Sequence, residues 1–107
     1  MSKISITDES GDFVGHFSPE KATKFEEATW WNGNNHISKA TKDKFSHQAL
    51  YLTAKKKWVL NSWSQWQGTI ERYELIPESA AINWLMENEE WEWVEEHAPK
   101  ALQTKEL

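Results

Sequence analysis

The sequence predicts an α+β fold: an antiparallel sheet of five to six strands, made of an N-terminal hairpin and a three-stranded meander, with helices on one face. Three observations predict it. Short segments near the N-terminus alternate polar and apolar residues around a Gly-containing turn. Three further alternating segments follow one another closely between Gln48 and Leu75. After Pro77 the apolar period changes to that of a helix.

The first strand is Lys3-Ile4-Ser5-Ile6-Thr7 and the second is Phe13-Val14-Gly15-His16-Phe17. Asp8 to Asp12 joins them with turn chemistry, Gly11 supplying freedom for positive φ. Ser18-Pro19-Glu20 reads as a helix start, with a capping hydroxyl, proline at the first position and an acid near the positive dipole end. Ala22, Phe25 and Ala28 continue it as a weak stripe. Trp30 to Asn35 reads as a loop, His36 to Ser38 as a short strand, and Thr41 to His47 as a lysine-rich loop. Gln48 to Ala54, Lys57 to Ser64 and Thr69 to Leu75 form the meander. Glu78 to about Asn88 is a helix with Ala81, Trp84, Leu85 and Asn88 on one face. Carried onward, it would set Trp91 about 200° from Trp93, so the helix breaks near Asn88-Glu89-Glu90 or one indole faces out. Residues 1–97 form one globular domain, and 98–107, opening on Ala98-Pro99, a flexible tail.

The chain has 107 residues and a net charge of −5, with 27% charged residues and no cysteine. Disulfides, thiolate metal sites and thiol nucleophiles are thereby excluded. No apolar run is long enough to span a membrane and no secretory signal is visible, so the expectation is a cytoplasmic protein. Charge is unevenly placed. Lys39 to Lys57 holds six lysines and Asp43 as its one acid, whereas Glu87 to Glu96 holds six glutamates and no base. Opposite charge in the two parts points to an interacting surface or to self-complementation.

Eight tryptophans stand out: Trp30, Trp31, Trp58, Trp63, Trp66, Trp84, Trp91 and Trp93. At about 150–250 Å² each, they offer the area of a standard protein interface. A domain this small buries only about two thirds of its unfolded surface, so some indole is expected outside.

Gly33-Asn-Asn-His-Ile-Ser38, Leu50-Tyr-Leu-Thr53, Trp58-Val-Leu-Asn-Ser-Trp-Ser-Gln-Trp-Gln-Gly68 and Ala80-Ala-Ile-Asn-Trp-Leu85 together resemble a group of small bacterial proteins of about this length. The resemblance spans roughly residues 10–90 and leaves out the acidic extension beyond Asn88. It implies a bacterial, cytosolic protein accompanying toxin–antitoxin or mobile-element genes. It brings no catalytic residues.

Candidate chemistry follows from residue types. His16, His36, His47 and His97 lack metal-ligand spacing, and no cofactor fingerprint occurs, so neither metal nor cofactor is expected. His36 or His47 with Glu71 and Arg72 supplies general acid–base groups, but strand alternation points Glu71 and Arg72 to opposite faces. The favoured reading is a non-enzymatic protein binder. Its anchors are Trp63 and Trp66 on the sheet and Trp91 and Trp93 in the terminal segment, steered by Glu89, Glu90 and Glu95. The expected partner is another protein, such as a basic nucleic-acid enzyme met by an antitoxin, immunity protein or inhibitor. A homodimer through the same surface is equally compatible. The alternative is nucleic-acid binding through Lys55, Lys56 and Lys57 beside Tyr51, lysines meeting phosphate and rings stacking on bases. Net acidity weighs against it.

Overall fold

A computed structural model describes residues 2–65, 68 and 70–107. Its strands are β1 (Ile4–Thr7), β2 (Phe13–Phe17), β3 (Thr23–Glu26), β4 (Thr29–Trp31), β5 (His36–Ser38), β6 (Ser46–Leu52), β7 (Trp58–Ser64) and β8 (Arg72–Ile76). Its helices are α1 (Glu78–Glu87), α2 (Trp91–His97) and α3 (Pro99–Lys105).

Six strands form one sheet in the order β2-β1-β8-β7-β6-β3, and β4 pairs with β5 as a separate ribbon. The hairpin and the meander stand as the sequence predicts. The sheet is mixed, not wholly antiparallel, because β1 runs parallel to β8 with Thr7 opposite Glu74. That junction joins the hairpin to the meander across most of the chain, a non-local pairing that local alternation does not encode.

The predicted helix from Ser18 to Ala28 is replaced by one 3-10 turn at Pro19–Lys21 and then by β3. The start signals are present, but the turn is followed by Thr-Lys-Phe-Glu, whose alternation suits the free edge of β6. There Phe25 lies opposite Leu50 and is buried. Trp30 and Trp31, read as loop, lie in β4 and pair with Ile37 and His36. Residues 98–107, read as a tail, contain α3, where Pro99 takes an early helical position. Ala98, Ala101 and Leu102 pack on the core beneath.

Alternation divides β7 between two apolar clusters. Trp58 and Leu60 point to the helical side, where Leu50, Phe25, Ala81, Trp84, Leu85 and Val94 complete a core. Val59 and Trp63 point to the other side, with Ala49, Tyr51, Tyr73, Ile6 and Phe17. That second face is partly covered. Phe17 on β2 meets Tyr51 on β6 edge-on at 5.2 Å between ring centroids. Three strands separate β2 from β6, about 19 Å in a flat sheet. The sheet therefore curls on itself, and the aromatic rings fill the hollow.

The α1–α2 junction ends one helix and starts α2, which carries both Trp91 and Trp93. Glu90 N–H donates to the Leu85 carbonyl at 2.9 Å and Glu89 N–H to the Met86 carbonyl at 3.1 Å. With Glu89 at φ 63°, this is a left-handed Schellman end that stops α1 and redirects the chain. Asn88 braces it, its Nδ2 donating to the Trp84 carbonyl at 2.8 Å and its Oδ1 accepting from Ala28 N–H at 3.0 Å.

Candidate functional site

The three helices enclose a groove of about 790 Å³ on the side away from the sheet. Met86 and Leu102 supply apolar wall, and Trp91, half exposed, stands in it. Glu87, Glu95 and Glu106 frame it against Lys105 alone among its lining cations. α2 begins at Trp91 because the helix restarts after Glu90, and the restart turns this indole outward. An apolar anchor ringed by carboxylates is the local chemistry of a surface that takes a cationic, partly apolar partner.

Trp93 lies on the opposite side of α2. It meets Trp58 at 5.3 Å and Phe25 at 5.8 Å, both edge-on, and His97 stacks on it at 4.2 Å. Trp93 is thus a buttress for the helical core, whereas Trp91 stays outside it. The predicted glutamates also divide. Glu95 lines the groove. Glu89 is held by Lys39, Nζ to Oε2 at 2.9 Å, which ties α1's end to the segment after β5. Glu90 sits at the junction, its carbonyl accepting from Val94 N–H at 3.2 Å.

Trp63 is half-buried in the hollow of the curled sheet, where His47 lies at 5.8 Å from it. Part of the Trp63 face lines a recess of about 270 Å³ with Ile70 and Arg72. Trp66 falls outside the described residues.

Two further indoles are exposed on a ribbon that the sequence reads as a loop. Trp30 is 47% and Trp31 58% exposed on the β4–β5 ribbon. The signal was an Asn-Gly turn between two short segments, a hairpin signature. Asn32 Oδ1 accepts from Asn34 N–H at 2.9 Å and Asn35 N–H at 2.8 Å, and Gly33 takes φ 104°. The ribbon begins just after Ala28, which is bonded to Asn88, so it roots next to the start of the acidic segment.

Between β6 and β7, Thr53 to Lys57 forms a tight turn, with Thr53 N–H donating to the Lys57 carbonyl at 2.8 Å and Lys56 at φ 67°. Lys55, Lys56 and Lys57 are exposed. Their aromatic neighbours are not. Tyr51 is buried in the sheet hollow and Trp58 in the helical core, so neither ring is presented for base stacking.

A polar cluster also escaped the sequence. Glu27, one residue past β3, is nine-tenths buried. Its Oε1 accepts from Gln48 N–H at 2.7 Å and Ser38 Oγ at 2.8 Å, and its Oε2 meets His47 Nδ1 at 2.7 Å. The carboxylate continues the β3–β6 ladder where the backbone departs. Gln48 in turn accepts from Trp84 Nε1 at 3.0 Å, joining the cluster to α1. With its oxygens filled by fixed donors, Glu27 is a staple. No local period marks such a residue, since its partners lie 11 to 21 positions away.

The acid–base set considered above does not assemble. His36 packs on Trp31 at 5.1 Å, His47 is bound to Glu27, and Arg72 pairs with its strand neighbour Glu74 at 3.7 Å. Glu71 accepts from the Tyr73 hydroxyl at 2.9 Å. Burial and that carboxylate push the Tyr73 phenol up to about 12. Among the described residues no group of acids and histidines is arranged to hold a metal, and no helix is long and apolar enough to cross a membrane.

No protein-family model, curated protein or solved structure matches this chain.

Proposed function

We propose that this chain is a cytoplasmic, non-enzymatic interaction protein that docks a basic partner protein, in the manner of an antitoxin, an immunity protein or an inhibitor of a nucleic-acid enzyme. The observation that carries the reading is Trp91, half exposed in a groove whose charged walls are Glu87, Glu95 and Glu106 against the single cation Lys105. A large amphipathic ring buries much area at low entropy cost, and the surrounding carboxylates speed encounter with a cationic surface. The excess of acid over base in the helical segment supports the same polarity.

The partner is a protein and not a nucleic acid, because carboxylates surround the exposed indole and repel phosphate. The test is affinity purification from the native host with the wild-type chain and with Trp91→Ala, followed by titration of the purified partner. Specific capture that Trp91→Ala abolishes, and that weakens with salt, is the expected result. A partner retained equally by both chains would remove the groove from the function.

A further inference from the structure

The curled sheet leaves an opening where the end of β2 approaches the β6–β7 turn. It is a recess of about 480 Å³, within the span of small-molecule sites, about 300–1,000 Å³. Its floor is the buried pair Ile6 and Phe17, and its upper walls are Val14 and Leu75, both exposed. The lining cations are Lys21, Lys55 and Lys57, with His16 beside them, and no carboxylate lines it. None of these lysines forms an ion pair among the described residues. The nearest acid in sequence, Glu20, lies in the field of Lys21 and accepts from Ser2 N–H at 2.7 Å.

We propose that this recess is a binding site for a small amphipathic anion, a carboxylate carried on an apolar body. The apolar body lies against Leu75 and Val14 over the Phe17 floor, and the carboxylate meets the lysine ammonium groups at the rim. Two features select this ligand. Apolar side chains left exposed inside a concavity gain from covering it with hydrocarbon. Three cations gathered at a mouth that no carboxylate lines, on a chain that is acidic overall, favour an anion there and disfavour a cation or a neutral chain. A β-ribbon wall, a barrel-like floor and a turn at the rim also describe where ligands enter curled sheets. The site is separate from the helical groove and does not depend on its role.

The test uses the full chain and decanoate below its micellar concentration, with decyltrimethylammonium and decanol as controls. Binding is followed by titration calorimetry and by methyl NMR of Val14 and Leu75. The expected result is saturable, single-site binding of decanoate that shifts both methyl signals, with weaker binding of decanol and none of the cation. The double variant Lys55→Glu/Lys57→Glu should weaken decanoate binding at least about tenfold, as expected for loss of charge-assisted contacts. Near-ultraviolet circular dichroism checks that the variant keeps its fold. Lys56→Glu, at the turn's left-handed position outside the recess lining, should change affinity less. Absence of decanoate binding, equal binding of the cation, or shifts confined to other methyls would overturn the proposal. So would methyl shifts that follow protein concentration alone, which would assign the recess to the acidic helices of a second copy.

Discussion

Phe17 and Tyr51 touch edge-on at 5.2 Å although three strands stand between their own. Tyr73 joins them, 5.9 Å from Phe17 and 6.4 Å from Tyr51. This contact holds the curl that turns one sheet face into a second core. Phe17→Ala should therefore cost more than its own buried area. An unfolding free energy lower by about 3–5 kcal/mol is expected from chemical denaturation, the upper range for a core phenylalanine. Phe17→Leu, which keeps most of the volume, should cost less than half of that. A cost within experimental error of zero for Phe17→Ala would mean that the curl is held elsewhere.

Glu27 is the second point where distant segments are joined. It binds the β6 backbone, Ser38 and His47 with one carboxylate. Glu27→Ala leaves the Gln48 N–H and the Ser38 hydroxyl without their acceptor in a mostly buried site, and should destabilise the chain by about 3 kcal/mol. Glu27→Gln retains one acceptor oxygen and should recover part of this. Hydrogen exchange at Gln48 is the local readout, and its amide should lose protection in Glu27→Ala while those of β1 and β2 keep theirs.

These two joints mark the limit of what the sequence makes legible. The hairpin, the meander and α1 are readable because strand alternation and helical periodicity are properties of neighbouring residues. The offset of about 200° between Trp91 and Trp93 is legible too, and it leaves a break or an outward indole as alternatives; the structure has both, because the two indoles stay in one helix after the break. β3 is not legible because Ser18-Pro19-Glu20 carries real helix-start chemistry, while the edge of β6 that captures Phe25 lies more than twenty residues away. The parallel β1–β8 pairing and the curl depend on contacts between the two ends of the sheet. For the site, the acidic polarity and Trp91 were visible in the sequence. The inward turn of Trp93, the burial of Tyr51 and the engagement of Glu89 by Lys39 follow from packing alone.

Tyr73 gives a prediction about pH. Burial first, and the hydrogen bond to Glu71 second, raise its pKa to about 12 from the ordinary 10.0. The neutral phenol is thus favoured in the folded chain, and the unfolded chain releases this proton first. Stability from this group is complete below pH 10 and is lost as pH rises toward 12. Because Tyr73 is only partly buried, the contribution is modest. In ultraviolet titration Tyr73→Phe should remove a phenolate that ionises near pH 12. If the wild-type chain and Tyr73→Phe lose the same stability between pH 10 and 12, Tyr73 is not the group responsible.

Trp91 and Trp93 separate binding from folding within one turn of α2. Trp93 meets Trp58, Phe25 and His97, so Trp93→Ala should lower stability by about 3 kcal/mol. Trp91 is half exposed over the groove, so Trp91→Ala should cost about 1 kcal/mol or less while removing at least about 2 kcal/mol of partner affinity, the range of an interface anchor. Glu95→Lys should act through encounter, slowing association at low salt and much less at high salt, because an exposed charge at a groove edge works at long range. Stopped-flow association and denaturant titration on the same three variants distinguish the roles. An inverted pattern, with Trp91→Ala unfolding the chain and Trp93→Ala losing only affinity, would require α2 to be turned about its axis.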